Sequence, residues 1–263
     1  MNSLNSKLNV GPAPHWNDGN SVSRMQRNWI LALLPAVLIS VGYFGIPALR
    51  SYLLSIGVFL LLDIVTSRIV PSKDLPGNLS SITFALLFAM LLPYQTPWWI
   101  ILVGGFITIV IGKRLFGGLG AYPVHPVLLC FAMLLVSWPQ RMDYTAAMVS
   151  LDWAVPVIEP LRLIKTQGSG AQSVYHLLDL FLGKQVAGIG NGMGLFLLIG
   201  GIYLLVIRQI TWHIPASFLL GTFGTAWILY QMNPGQFATP LFHILSGSTF
   251  LGAFFLATEH TTS

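Results

Sequence analysis

Long apolar runs that carry almost no charge follow one another along this chain, and they limit its fold more than any other feature. Hydrophobic residues make up 54% of the sequence and charged residues 8%, whereas about a quarter of the residues in a soluble domain are charged. The runs are continuous and do not alternate apolar with polar residues, which favours helices over a β-barrel. The sequence therefore predicts an all-α, polytopic integral membrane protein.

Clusters of proline and glycine divide the apolar runs into about eight candidate transmembrane helices. Their expected ranges are 29–46, 52–70, 79–92, 98–111, 127–138, 194–207, 213–230 and 241–257. A polar tail, 1–28, precedes them and has the pattern of neither a signal peptide nor a transit peptide. A polar insert, 140–193, separates a first bundle, 29–139, from a second, 194–263.

Basic residues are concentrated at one end of these helices. Short cytoplasmic loops of membrane proteins are enriched in Lys and Arg, and the short connections at the opposite end carry only Arg50. We therefore expect a cytoplasmic N-terminus and an insert that lies largely outside. The residues at the basic end are Lys7, Arg24, Arg27, Arg68, Lys73, Lys113, Arg114 and Arg208.

Two short apolar stretches in opposite halves of the chain are similar in sequence. Residues 79–89 and 245–255 are identical at five of eleven positions, and both open with small hydroxyl residues. Paired short segments are typical of sites at the midplane of internally repeated transporters. If the two correspond, the repeat is five helices long and inverted, and the second copy, 194–263, is incomplete because it lacks its last two helices.

The connection between the fourth and fifth spans is rich in glycine. Gly117, Gly118 and Gly120 lie shortly after Lys113, and two prolines close the segment. Glycine lets a backbone turn sharply or approach a planar ligand closely. The residues alone allow either a tight interhelical turn or a ligand-binding loop.

Short motifs spread over nearly the whole chain resemble the RnfD/NqrB family of membrane subunits, and RnfD more closely. The motifs are specific jointly and not singly. They occupy 32–35 (ALLP), 97–100 (PWWI), 111–113 (IGK), 116–120 (FGGLG), 123–126 (PVHP), 179–183 (DLFLG), 212–215 (WHIP) and 252–258 (GAFFLAT). The resemblance implies ten helices in two inverted five-helix repeats, placed in the bacterial cytoplasmic (inner) membrane.

The resemblance also implies a function. Complexes of this family pass electrons through flavins and iron–sulfur centres and couple the transfer to movement of Na⁺ or H⁺. The expected partners are other membrane, iron–sulfur and flavin subunits and the lipid bilayer, and not nucleic acid. A quinone near Gly117 and Gly118 is left open. Cys130 is the only cysteine, so clusters belong to partners, and the chain is expected to be a translocase subunit with no catalytic or metal site of its own.

One motif departs from the family pattern in the insert. Family members carry FMN on the threonine of a Ser-Gly-Ala-Thr motif, and riboflavin is associated with the subunit as well. The corresponding residues here are Ser169, Gly170, Ala171, Gln172 and Ser173. Because the amide of Gln172 has no hydroxyl for a phosphoester, we expect FMN or riboflavin to be held non-covalently, with a polar surface loop as the alternative. Further cofactor-binding candidates are Lys113, Gly117, Gly118, Gly120, Ser248 and Thr249.

Asp63 is the only acidic residue inside a predicted span. Intramembrane carboxylates are functional by default, although pairing with Arg68 explains this one equally well. His125 replaces the asparagine usual in the family and suits either a proton path or a single hydrogen bond. The expected ion path comprises Asp63, Ser80, Ser81, Thr83 and His125, and the hydroxyls of 80–83 are expected to face Ser246, Ser248 and Thr249 across the membrane interior.

These observations favour a flavin-holding membrane subunit of an Rnf-like, ion-coupled electron-transport complex. Two alternatives remain open. One is a divergent, flavin-free scaffold or ion-conducting subunit of such a complex, and the other is a stand-alone transporter with an inverted repeat.

Overall fold

The computed structural model describes residues 21–69, 79–148 and 158–259, and within these ranges the chain forms helices and no β-strand. α4 and α12 continue directly into π-helices, Phe106–Arg114 and Gly252–Leu256, and a 3₁₀-helix, Ser169–Val174, lies between α7 and α8. The α-helices are α1 (Val22–Phe44), α2 (Ile46–Ile69), α3 (Leu79–Leu91), α4 (Trp98–Gly105), α5 (Pro126–Ser137), α6 (Tyr144–Met148), α7 (Pro160–Gln167), α8 (Leu177–Phe181), α9 (Gly194–Val206), α10 (His213–Met232), α11 (Pro240–Leu245) and α12 (Thr249–Leu251).

The all-α prediction is confirmed, and the helix boundaries differ most from the predicted ranges in three places. α1 begins seven residues before its predicted start because Ser21 caps it, its hydroxyl accepting a hydrogen bond from the Arg24 amide at 3.2 Å. α2 begins six residues early, directly after Gly45. The predicted span 241–257 is broken at residues 246–248. Residues 1–20 of the predicted tail, which include Lys7, and the loop residue Lys73 lie outside the described ranges.

α1 and α2 are long and apolar enough to cross a membrane, by length and composition. Both expose large apolar side chains such as Leu38, Leu53 and Leu61. An exposed apolar surface of this kind is suited to contact with lipid.

α3 lies at the centre of the bundle and is buried on every side. It packs against α1, α2 and α5, and all of its residues from Ser80 to Leu91 are buried except the half-buried Ile82. A helix that is apolar all round lies either in the core of a protein or within a membrane, and α3 is enclosed by its neighbours. Its 13 residues span about 20 Å, less than the roughly 30 Å of a bilayer core, so α3 cannot cross the core alone and at least one of its ends lies at membrane depth.

Hydrogen bonds between helix ends show which of them lie at the same end of the bundle, and we call its two ends faces. We call one the basic face: it holds the start of α1 and the end of α9, where Gln209 hydrogen-bonds to Asn28 and to the Met25 carbonyl. The other, the insert face, holds the end of α3. There the amides of Gly190 and Asn191 both donate to the Met90 carbonyl at 3.1 Å, and the amide of Ile189 donates at 2.9 Å to the carbonyl of Leu92, the residue after α3. The insert therefore satisfies backbone groups that a short helix would leave unpaired inside a membrane.

The expectation that the hydroxyls of 80–83 and 246–249 face each other is wrong. Ser80 and Ser81 lie in the first turn of α3, whereas Ser248 lines a pocket with Leu91, the last residue of α3. Leu91 lies eleven residues after Ser80, which is about 16 Å along α3. The reason is orientation: α3 runs from the basic face towards the insert face and α12 starts at the insert face, so their hydroxyl-bearing starts lie at opposite ends.

α1 and α9, the first membrane helices of the two halves, pack against each other. The contact is close because Gly200 of α9 has no side chain: a Cβ at this position would collide with the carbonyl oxygen of Ala32 and would lie 3.1 Å from the Phe255 ring. Small residues commonly let membrane helices approach in this way.

We expect Gly200→Ala to destabilise the protein by about 1–3 kcal/mol, because the backbone of α1 cannot move aside as a side chain could. Gly57→Ala in α2 is the matched control, since a Cβ there meets nothing within 4 Å and alanine favours a helix over glycine by up to about 1 kcal/mol. Thermal unfolding of the two variants in detergent measures the difference. Equal unfolding temperatures would contradict the close contact.

Candidate functional site

A cluster of charged side chains lies buried at the start of α3, and we call it the charged cluster: Asp63, Ser80, Ser81, Lys113 and Arg114. Arg114 Nη2 lies 2.7 Å and Nε 3.0 Å from Asp63 Oδ1. Lys113 Nζ lies 3.3 Å from the same oxygen and donates to the hydroxyls of Ser80 and Ser81 at 3.0 and 3.2 Å. The three ionic side chains are at most 1% exposed.

Local backbone geometry brings both cations to this cluster. The π-helix Phe106–Arg114 carries Lys113 and Arg114 as its last two residues, and the following amide of Leu115 bonds to the Val110 carbonyl five residues back. π-helical turns frequently occur at functional sites. The chain then reverses through Gly117, Gly118 and Gly120, whose φ angles of +107°, +103° and +83° are readily adopted only by glycine.

The charged cluster unites residues that the sequence assigned to two separate roles. Asp63, Ser80 and Ser81 were expected in an ion path and Lys113 in a cofactor site, but all four lie together. The ion pairs of Asp63 are with Lys113 and Arg114, while Arg68 is exposed, so the alternative of a pairing with Arg68 is wrong. Thr83 lies one turn further along α3 and donates to Gln26 of α1 at 2.7 Å.

A second buried pair of ionisable side chains, His125 and Glu259, joins the two halves of the chain. His125 caps α5, and its Nδ1 accepts a hydrogen bond from the Val127 amide at 3.2 Å. Its Nε2 lies 2.8 Å from Glu259 Oε2. Tyr122 donates to the other carboxylate oxygen at 3.4 Å. Sequence reasoning missed Glu259 because it lies two residues beyond the predicted span, although an acidic residue so near an apolar run was a usable signal.

The insert turn at residues 169–173, where a flavin was expected from the sequence, uses its polar groups within the protein. Gln172 forms two hydrogen bonds with Thr239, one to its hydroxyl at 2.7 Å and one from its amide at 3.2 Å. The Ser169 amide donates to the Gly235 carbonyl, and the Ser173 hydroxyl donates to the Gly170 carbonyl. Ala171 is buried in a small apolar cluster with Tyr175. The turn therefore anchors the insert to the start of α11.

Gln185 holds the break between α11 and α12, and sequence reasoning did not find it. Its side chain is buried and donates to the carbonyls of Leu180, Gly192 and Leu245 at 3.0–3.2 Å. Its side-chain oxygen accepts from the Gly247 amide at 2.9 Å. Ser248 follows directly, and Thr249 donates to the carbonyls of His243 and Ser246, so the Thr249 hydroxyl is used locally.

A pocket of about 450 Å³ opens beside this break, and we call it the insert pocket. One wall is apolar and comes from the ends of α3 and α5, with Leu91 and Leu135. The polar residues of the other wall are Asp143, Tyr144, Glu159, Arg162, Asn191 and Ser248. Tyr144 also donates to the Leu91 carbonyl at 2.9 Å, which fixes the insert against the end of α3.

Asp63→Asn should destabilise the protein by about 3–5 kcal/mol, because two buried cations would lose the carboxylate they share. Asp179→Asn is the control: Asp179 forms an exposed pair with Lys184 at 3.4 Å, and such pairs contribute about 1 kcal/mol or less. The yield of monodisperse protein and the thermal unfolding temperature in detergent report the outcome. Similar losses in both variants would show that the charged cluster does not stabilise the bundle.

Comparison with known proteins agrees with this architecture. A family model described as the NQR2, RnfD, RnfE family matches residues 9–263, which is nearly the whole chain. The helices and this family together indicate a multi-pass membrane protein.

Individual relatives align over most of the chain. A subunit of the Na⁺-translocating ferredoxin:NAD⁺ oxidoreductase complex of Acetobacterium woodii is 36% identical over 265 residues, covering 100% of this chain and 80% of the relative. A subunit of the ion-translocating oxidoreductase complex of Alcanivorax borkumensis is 33% identical, with 96% and 80% covered, and its namesake in Vibrio cholerae serotype O1 is 30% identical, with 95% and 82% covered. The chain belongs to the NQR2, RnfD, RnfE family of membrane subunits.

Proposed function

We propose that this chain is a membrane subunit of an ion-translocating electron-transport complex of the Rnf type, in the bacterial cytoplasmic membrane with its N-terminus inside. It contributes to translocation of Na⁺ or H⁺ and works with membrane, iron–sulfur and flavin subunits. In this proposal the chain acts as one subunit of an ion-translocating oxidoreductase and does not catalyse the reaction by itself. The relatives named as subunits of ion-translocating oxidoreductase complexes support the assignment, since they align over nearly the entire chain.

The buried ionisable groups are the observation in the structure that supports ion movement. The charged cluster at the start of α3 and the His125–Glu259 pair both lie within the helical bundle. Charged side chains are costly at membrane depth, and those that are present commonly mark ion or proton pathways. Each group also links elements of the fold: Asp63 joins α2 to the π-helix that continues α4, and Glu259 joins the end of the second half to α5.

We further propose that any flavin in this subunit is held without a covalent bond. Gln172 has no hydroxyl and its amide is engaged with Thr239. The glycine turn offers more room, because Gly117 and Gly120 are exposed and a Cβ at Gly120 would meet nothing within 4 Å. A bound flavin would supply one- and two-electron transfer, and the protein would orient it.

A flavin-free scaffold or ion-conducting subunit is the second candidate. It is favoured by the use of the Ser169 amide and the Ser173 hydroxyl within the insert turn, which removes donors that a flavin phosphate would need.

Glu259→Gln tests the role in ion movement. In membrane vesicles that contain the complete complex, we expect redox-driven uptake of Na⁺, or of H⁺ measured with a pH-sensitive dye, to fall at least fivefold, because the neutral amide cannot exchange a cation or proton. Asp179→Asn, in an exposed pair, should leave uptake unchanged. Vesicles that lack this chain and still show full uptake would overturn the proposed function.

The flavin proposal is tested separately on the purified chain. We expect flavin absorbance in the native protein, no flavin fluorescence after denaturing electrophoresis, and a mass equal to that of the unmodified sequence. A mass increment on the peptide containing Gln172 and Ser173 would contradict non-covalent binding. Native protein without flavin absorbance would establish the flavin-free alternative.

A further inference from the structure

The insert pocket carries a net negative charge. Asp143 and Glu159 contribute two carboxylates, and Arg162 contributes one guanidinium. Arg162 pairs with Asp143 at 3.4 Å, and its side chain remains 58% exposed. Among the described residues, Glu159 forms no ion pair and its side chain makes no hydrogen bond. The pocket therefore has one carboxylate whose charge is not balanced by a direct partner.

An unused acceptor lies in the same pocket. Asn191 is only 4% exposed, yet its Oδ1 has no hydrogen-bond partner among the described residues. The backbone of Asn191 is held at the end of α3, since its amide donates to the Met90 carbonyl at 3.1 Å. Leaving a buried polar atom without a partner costs about 1–3 kcal/mol. Such an atom beside a pocket indicates a ligand that supplies a donor or a positive charge.

The environment of Glu159 favours a positive ligand. Burial raises the pKa of Glu159 above its ordinary value, Arg162 lowers it in part, and the carboxylate of Asp143 raises it again. Burial and the neighbouring carboxylate disfavour the charged form of Glu159, and a cation that comes close stabilises that form. The C-terminal end of α3, which carries the negative end of the helix dipole, is adjacent through Leu91.

We propose that the insert pocket binds a partly hydrated monovalent cation, with the carboxylate of Glu159 and Oδ1 of Asn191 as ligands and Asp143 as a nearby charge. Oxygen ligands suit hard cations, and a single excess negative charge suits a monovalent one. The pocket volume of about 450 Å³ exceeds that of a bare ion and leaves room for water, which occupies about 30 Å³ per molecule. The inference rests on the proposed function, because it names where the translocated cation is held at the insert face.

Two substitutions test this site on the purified full-length chain in detergent: one removes a negative charge from the pocket and the other adds one. The probe is NaCl titrated against choline chloride at constant ionic strength, and the readout is the thermal unfolding temperature. We expect a saturable rise for the wild type. Glu159→Gln should raise the half-saturating Na⁺ concentration at least tenfold, whereas Asn191→Asp should lower it severalfold, because it adds a charge at nearly constant volume.

Asp179→Asn is the matched control, since it removes a carboxylate from the same insert but outside the pocket, and its half-saturating concentration should stay within twofold of the wild type. General destabilisation would move both pocket variants in the same direction, so a shared direction overturns the site. The site is also overturned if choline chloride raises the unfolding temperature as much as NaCl does. It is overturned too if both variants keep the half-saturating Na⁺ concentration of the wild type. If an organic ligand abolishes the effect of Na⁺ on the unfolding temperature, and neither substitution changes the half-saturating Na⁺ concentration, the pocket belongs to that ligand and the cation site is overturned.

Failure of this site and failure of the proposed function have different signatures. If vesicles show redox-driven uptake that depends on this chain, but Glu159→Gln and Asn191→Asp leave Na⁺ binding unchanged, the function stands and the site falls. If Na⁺ binding follows the expected opposite shifts, but uptake does not depend on this chain, the site stands and the function falls.

Discussion

The structure depends on one constraint: a 13-residue helix, α3, lies wholly inside a membrane-embedded bundle. A helix this short leaves backbone donors and acceptors at membrane depth, where water cannot satisfy them. At its insert-face end, the backbone amides of residues 189–191 and the hydroxyl of Tyr144 bond to the carbonyls of residues 90–92. At its basic-face end, Ser80 and Ser81 lie within the charged cluster. Both candidate sites are therefore consequences of how the ends of α3 are completed.

The two ends differ in chemistry. The charged cluster is fully buried and holds one carboxylate between two cations, an arrangement in which the loss of either partner is expensive. The insert pocket is open and holds two carboxylates beside one guanidinium. A tightly paired group holds structure in place, whereas an incompletely paired one can exchange a ligand. The His125–Glu259 pair lies between these cases, since it consists of two titratable groups in direct contact.

Much of the architecture was predictable from residue pattern. Continuous apolar runs predicted the helices, and the one-sided basic residues anticipated the basic face that Gln209 and α1 form. The repeated hydroxyl-opening segments pointed to α3 and α12, and opposite directions are what an inverted repeat requires. The separation of their hydroxyls follows from these opposite directions, because α3 and α12 begin at different faces. The break at residues 246–248 was also missed, since its cause, the buried Gln185, is remote in sequence.

By itself, the sequence determined the all-α membrane class, the approximate helix ranges and the family, because these follow from local composition and from motifs that are read along the chain. Tertiary structure alone decided the partners. Asp63 pairs with side chains 50 and 51 residues away, Glu259 reaches His125 across the two halves, and Gln172 anchors α11 in place of presenting a free amide. These contacts join residues that no spacing rule connects. In a low-dielectric interior, each polar group must find a partner wherever the packed helices bring one within reach.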